Sequence, residues 1–192
     1  MNKKELKQIK KSVNKAVSER KIQRDTEDRA VINMTVKNDD GFLAEYSEGS
    51  TPMISEDVSA FIEHNAQSIL PKESLTLRIH SNSIDDGEKE EYKSAIKEYY
   101  TKRYVSDKRE LRRNTWIAIF LAIAGIIALF AAIVVELKTE NPIWTEVVDI
   151  IAWVLIWESV DIMAFRNREL RVNCLRYLAF ISMKVEYYEI KN

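Results

Sequence analysis

The sequence predicts an α+β protein: a two-helix transmembrane hairpin attached to a small cytoplasmic α+β module, whose mostly antiparallel sheet includes a C-terminal strand. Three observations lead there. Residues 116–135 are 20 consecutive positions without an ionisable or amide side chain. At ~1.5 Å per residue they span ~30 Å, the thickness of a hydrocarbon core. Residues 143–165 form a second apolar stretch, and basic residues crowd the outer flanks of both while avoiding the link between them. The averages hide this split. In 192 residues, 29 Lys and Arg nearly balance 30 Asp and Glu, and 46% of positions are hydrophobic. Four Gly and three Pro argue against a loop-rich chain, and a single Cys excludes an internal disulfide.

Residues 1–29 read as a basic amphipathic helix, with Leu6, Ile9, Val13, Ala16 and Val17 recurring at helical spacing. Nine basic and two acidic residues give positions 1–24 a charge of +7. Lys3, Lys4, Lys7, Lys10, Lys11 and Lys15 are the candidates for contact with an anionic lipid surface. Residues 25–63, with ten acids against Arg29 and Lys37, are an alternative internal dock for that helix, and a solvated tail is a third reading. Nucleic acid is not expected, because no aromatic residue or recognition motif accompanies the charge.

Residues 30–113 read as the cytoplasmic module, running into a long helix. Positions 30–36 are β-prone, Asn38-Asp39-Asp40-Gly41 is a turn, and 42–46 return as a second strand. Ser55 caps a helix carrying Val58, Phe61, Ile62 and Ile69 that stops before Pro71. Leu75, Leu77 and Ile79 alternate as a third strand. Asp85 or Asp86 opens a helix containing Tyr92, Ile96, Tyr99 and Tyr100, and no breaker follows from 88 to 135.

The first span is residues 114–137. It is apolar on every face, and it begins too far along the chain for a secretory signal. Asn141-Pro142 is a turn that can start the second span, 143–165. There Glu146, Asp149, Glu158 and Asp161 share one half of the helical circumference, leaving Val148, Ile151, Ala152, Leu155, Ile156, Ser159, Ile162 and Met163 on a charge-free half for lipid. Trp144 sits where an interfacial anchor belongs. Residues 166–192 read as a cytoplasmic helix and a strand over 184–190, which must join a sheet to be stable.

Orientation follows from charge. Twelve basic residues flank the spans (Lys97, Lys102, Arg103, Lys108, Arg109, Arg112 and Arg113 before, Arg166, Arg168, Arg171, Arg176 and Lys184 after), against Lys138 in the link. Both termini are therefore expected in the cytoplasm of a multi-pass inner-membrane protein. The lone Cys174 is then either a small packing residue or a juxtamembrane palmitoylation site.

Leu70-Pro71, then Leu77-Arg78-Ile79-His80, Tyr99-Tyr100, Trp153 with Trp157-Glu158 and Asp161, and Arg168-Glu169-Leu170-Arg171 are a combination found along residues 31–190. In these motifs the chain resembles a set of uncharacterised bacterial two-span membrane proteins. The resemblance implies topology and a bacterial origin, and no chemistry.

The intramembrane acids are the sharpest chemical feature. Measured from Phe165, Asp161 lies ~6 Å deep and Glu158 ~10 Å deep by helical rise. Each needs a partner or a proton, and Arg112, Arg113 and Arg166 lie at the same cytoplasmic end to supply one. One reading is a proton or cation site inside an oligomer; the other is an ion-pair network that fixes helix packing and self-association. Glu146 and Asp149 fall at the outer interface, solvated or forming a cation-attracting mouth. His64 and His80 lack metal-ligand spacing, and no nucleophile or phosphate-loop motif is present. Neither a cofactor nor a metal nor a catalytic residue is assigned. The function expected is a non-enzymatic, homo-oligomeric scaffold, binding or regulatory component in the lipid bilayer. A small oligomeric channel using Glu158 and Asp161 is the alternative, and a membrane-tethered enzyme the third.

Overall fold

The structure, a computed structural model, describes residue 5 and residues 22–45, 51–138 and 142–190. Its elements are β1 (Ala30–Val36), α1 (Glu56–Ala66), β2 (Leu75–Ser81), α2 (Asp86–Lys138), α3 (Pro142–Asp161), a π-helical turn (Ile162–Arg166), α4 (Asn167–Ile181) and β3 (Lys184–Tyr188). They form two compact units: the chain before Ile96 joined by the chain after Ile181, and the segment from Ile96 to Ile181.

In the first unit, three strands in the order β1-β2-β3 make a sheet. Both pairings are parallel, with Ala30 opposite Leu75, Val36 opposite Ser81, and Thr76 opposite Lys184. The expected antiparallel sheet is therefore corrected. Its second strand, expected over 42–46, is not a strand in its described part: residues 42–45 make a single bridge, from Leu43 to Ile54, and residue 46 lies outside the described residues. Phe42 instead enters the core, its ring stacked on Tyr92 at 4.3 Å. The chain then passes through α1 before re-entering the sheet, and a strand reached by such a crossover runs parallel to the one it left.

Local chemistry sets the helix ends. Ser55 caps α1 by accepting from Val58 N, with Glu56 and Asp57 in the first turn favoured by the helix dipole. The helix stops at Ala66, short of Ile69. At the start of α2, Asp85 Oδ1 accepts from the Gly87 and Glu88 amides, and Glu88 Oε2 accepts from Asp85 N, all at 2.9 Å. That reciprocal cap starts a helix that continues unbroken for 53 residues. One sheet face carries Ile32, Met34, Leu75, Leu77 and Ile79, all buried with Val58 and Ile62 of α1 and Tyr92 of α2. The other carries Asn33, Thr35, Arg78 and His80 and is not buried.

In the second unit, Tyr100 is fully buried against Phe180 (4.5 Å) and Tyr177 (6.1 Å), joining α2 to α4. Small residues let α3 approach α2. Ser159 Oγ donates to the Ala118 carbonyl at 2.8 Å, and Gly125 lies against Ala152 and Ile156. This packing corrects the expected orientation of residues 143–165. Ala152, Ser159 and Ile162 of their charge-free side are buried, though Ile151 and Met163 on it stay exposed, and Glu146, Asp149 and Glu158 are exposed. Close approach at Gly, Ala and Ser gains more contact than lipid would supply.

The transmembrane hairpin is corrected as well. Among the described residues, one helix, α2, is long and apolar enough to cross a membrane. The companion segment holds four acids in the 20 residues of α3, and its regular helix ends at Asp161, four residues before the expected limit. Asn141 and the basic N-terminal lysines Lys3, Lys4, Lys7, Lys10, Lys11 and Lys15 lie outside the described residues.

Candidate functional site

Two surfaces carry chemistry, one in each unit. The first is the open face of the sheet. Parallel registration sets Arg78 beside Glu186 and His80 beside Tyr188. Arg78 Nε donates to Glu186 Oε2 at 3.2 Å and its guanidinium lies 5.8 Å from the Tyr188 ring centre. Tyr188 Oη donates to the same carboxylate oxygen at 3.1 Å, and its ring stacks on His80 at 5.5 Å. Lys184 Nζ pairs with Glu186 at 3.1 Å and with Glu27 at 3.2 Å. Hydrogen bonds from Lys184 first, then Arg78 and Tyr188, hold the Glu186 carboxyl below its ordinary range despite desolvation. The reciprocal bonds to Glu186 and Glu27 push Lys184 up.

A loop closes the amino-terminal end of this face. Thr76 Oγ1, fully buried, donates to Asp25 Oδ2 at 2.7 Å, and Asp25 Oδ1 accepts from the Glu27 and Arg29 amides. The Thr76 bond is the main reason the Asp25 carboxyl titrates below its usual range. Asp28 takes the left-handed conformation (φ 60°) that this tight turn requires and that Asp tolerates. The carboxyl end stays open. There Asn33, Thr35, His80, Tyr188, Glu189 and Ile190 line a cavity of ≈530 Å³. Open sheets with parallel strands place ligand crevices at this end. The stacked pair of rings, with amide, hydroxyl and carboxylate groups beside it, suits a small planar polar ligand or a peptide segment.

The second surface is the exposed apolar wall of the other unit. On α2, Trp116 is 63% exposed, Phe120 71% and Phe130 66%, and on α3 Trp153 and Trp157 are exposed as well. Continuous apolar surface on this scale is rare on monomeric soluble proteins and marks contact with lipid or a partner. In the most apolar window of α2, 17% of residues are buried, so most of that stretch is not covered by the rest of the chain.

The residues expected to form an acidic intramembrane site are only partly brought together. Glu158 pairs with Arg166 at 3.6 Å across the π-helical turn, with both side chains about half exposed. Arg113 pairs with Glu110 of its own helix at 3.7 Å. Asp161 is half-buried and makes no ion pair with Arg112, Arg113 or Arg166. Glu146 and Asp149 are exposed at the other end of α3. His64 is exposed on α1, and among the described residues no contact joins it to His80. Among the described residues no group of three His, Cys, Asp or Glu side chains could hold a metal. Cys174 is buried, and desolvation, with Asp107 nearby, raises its thiol pKa, so it is a packing residue in this structure. Arg78, Glu186 and Tyr188 are the residues that sequence reasoning missed. The alternating polar positions of the two strands were their signal.

Comparison with protein-family models, with curated proteins and with solved structures found no match. The functional reading therefore rests on these two surfaces.

Proposed function

We propose that this chain is an integral membrane protein in which α2 crosses the bilayer and the α+β unit is a cytoplasmic binding or regulatory module that acts without catalysis. The carrying observation is the exposed apolar wall of α2, which continues a charged helix without a break. Lipid is the solvent that such a surface matches. The basic residues before residue 114 favour the cytoplasm for the module. Because β3 pairs with β2, the chain leaves the sheet after Ser81 and returns to it at Lys184. The recognition surface is the open sheet face, whose charged groups are engaged with one another rather than aimed at a reacting atom. Glu158, exposed and paired with its own chain's Arg166, favours the ion-pair network over conduction.

The test is extraction of the full chain from membranes at alkaline pH, followed by flotation with neutral phosphatidylcholine vesicles. Integration predicts that the protein stays with lipid in both. Release into the aqueous phase would reject the reading.

A further inference from the structure

The charged and apolar stretches of α2 meet between Arg113 and Trp116, and two side-chain bonds fix what lies beside that boundary. Fully buried Asn167 donates Nδ2 to Thr115 Oγ1 at 3.3 Å, and Ser159 donates to the Ala118 carbonyl at 2.8 Å. The π-helical turn Ile162–Arg166 lies between Ser159 and Asn167, so it is held at the level of the boundary. Such turns shift the register of the side chains that follow, and they recur at functional sites. Here Phe165 is 67% exposed and Arg166 is exposed beside it. On α2, Arg112, Arg113 and Trp116 are exposed within one helical turn of Thr115, the residue that Asn167 bonds.

From this arrangement we propose that Arg112, Arg113 and Arg166, with Trp116 and Phe165, form a belt that binds the phosphodiester headgroups of anionic phospholipids. This rests on the membrane reading of α2. Each part has a match in such a lipid. Guanidiniums bind phosphate oxygens through paired N–H donors, and aromatic rings settle at headgroup depth with their apolar bodies toward the acyl chains. The protein's own carboxylates compete weakly, since Arg113–Glu110 and Arg166–Glu158 are exposed pairs at 3.7 and 3.6 Å. The helices carry the three arginines to neighbouring positions, so the headgroup meets them without rearrangement of the backbone.

The experiment uses the full-length protein with Trp144, Trp153 and Trp157 replaced by Phe, so that Trp116 is the sole fluorophore. It is reconstituted in phosphatidylcholine vesicles containing a fixed fraction of brominated lipid, either phosphatidylglycerol or phosphatidylcholine. Flotation of the neutral vesicles reports insertion separately. A basic residue near an anionic surface contributes about fivefold in affinity, so three acting independently predict a local preference for the anionic lipid on the order of a hundredfold. Quenching by brominated phosphatidylglycerol should therefore exceed quenching by brominated phosphatidylcholine. The Arg112→Gln, Arg113→Gln, Arg166→Gln variant should still float, yet quench equally with both lipids. Equal quenching in the inserted parent, or a preference that survives the triple replacement, overturns the lipid site while the membrane reading stands. Failure to float overturns both. Loss of the preference on adding inorganic phosphate in place of an equal ionic strength of chloride would assign the belt to free phosphate and overturn the lipid assignment.

Discussion

Gly125 separates sterics from helix propensity, because the two predict opposite signs. On an exposed helix, Gly→Ala stabilises by about 1 kcal/mol. In α2, a Cβ at residue 125 would lie 2.6 Å from Ile156 Cγ1, 3.2 Å from the Ala152 carbonyl oxygen and 3.3 Å from Ile156 N. Carbon atoms rest ~3.5–4.0 Å apart, so α2 and α3 would have to separate by ~1 Å. Two of the three obstacles are backbone, which a rotamer change cannot move. Separation also lengthens the buried Ser159–Ala118 bond. Overpacking of this kind costs about 1–3 kcal/mol, which exceeds the propensity gain and leaves a net loss of about 1 kcal/mol. For a chain of this size that corresponds to a Tm lower by about 2–4 °C. Thermal unfolding of the purified protein in micelles should show this for Gly125→Ala and a larger fall for Gly125→Leu. Gly41→Ala, whose Cβ meets nothing within 4 Å, is the control and should change little. A rise in Tm for Gly125→Ala would refute the close approach of the two helices.

Other consequences follow from single contacts. Ser159→Ala removes the buried bond to Ala118 and should cost about 0.6–1 kcal/mol in the same assay; an unchanged Tm would mean that this bond contributes nothing. Glu186 titrates below its ordinary range, so its stabilising contribution is complete above about pH 4.3 and is lost as the pH falls through the lowered value. Lys184, raised, contributes below about pH 10.4 and loses that contribution as the pH climbs through its higher value. Glu186→Gln should flatten the acid limb of Tm against pH, and superimposable profiles for variant and parent would contradict the pairing. Burial pushes Tyr187 up to about 12, and its Oη donates to the Lys89 carbonyl at 2.8 Å. Tyr187→Phe should therefore remove a tyrosinate absorbance step near pH 12 and cost about 1 kcal/mol of stability. A step that survives the replacement would assign that titration to another tyrosine.

Local signals were legible where one residue's chemistry decides the outcome. Ser55 and Asp85 are caps by type and position, and the alternation of Leu75, Leu77 and Ile79 marks a strand because its apolar side must be buried. The absence of a breaker after Glu88 is visible as such, and α2 is continuous. Strand direction was not legible. The turn at residues 38–41 invites a hairpin, but Phe42 gains more from burial against Tyr92 than from a ladder, and no local pattern reports that competition. The covered side of α3 was misread for a related reason. Counting charges around the helix identifies two halves, whereas Gly125, Ala118, Ala152 and Ser159 decide which half another helix can reach. The open-face group was hidden because Arg78, Glu186 and Tyr188 meet only through a register set more than a hundred residues apart.

The claim on which the account depends is that α2 carries the chain across a bilayer, and residue 138 tests it most directly. Lys138→Cys, in a Cys174→Ala background, is treated with a membrane-impermeant maleimide in intact spheroplasts and again after lysis. The account predicts full labelling before lysis, from the side of the membrane opposite the sheet. Labelling that appears only after lysis would place the end of α2 on the same side as the sheet and contradict it.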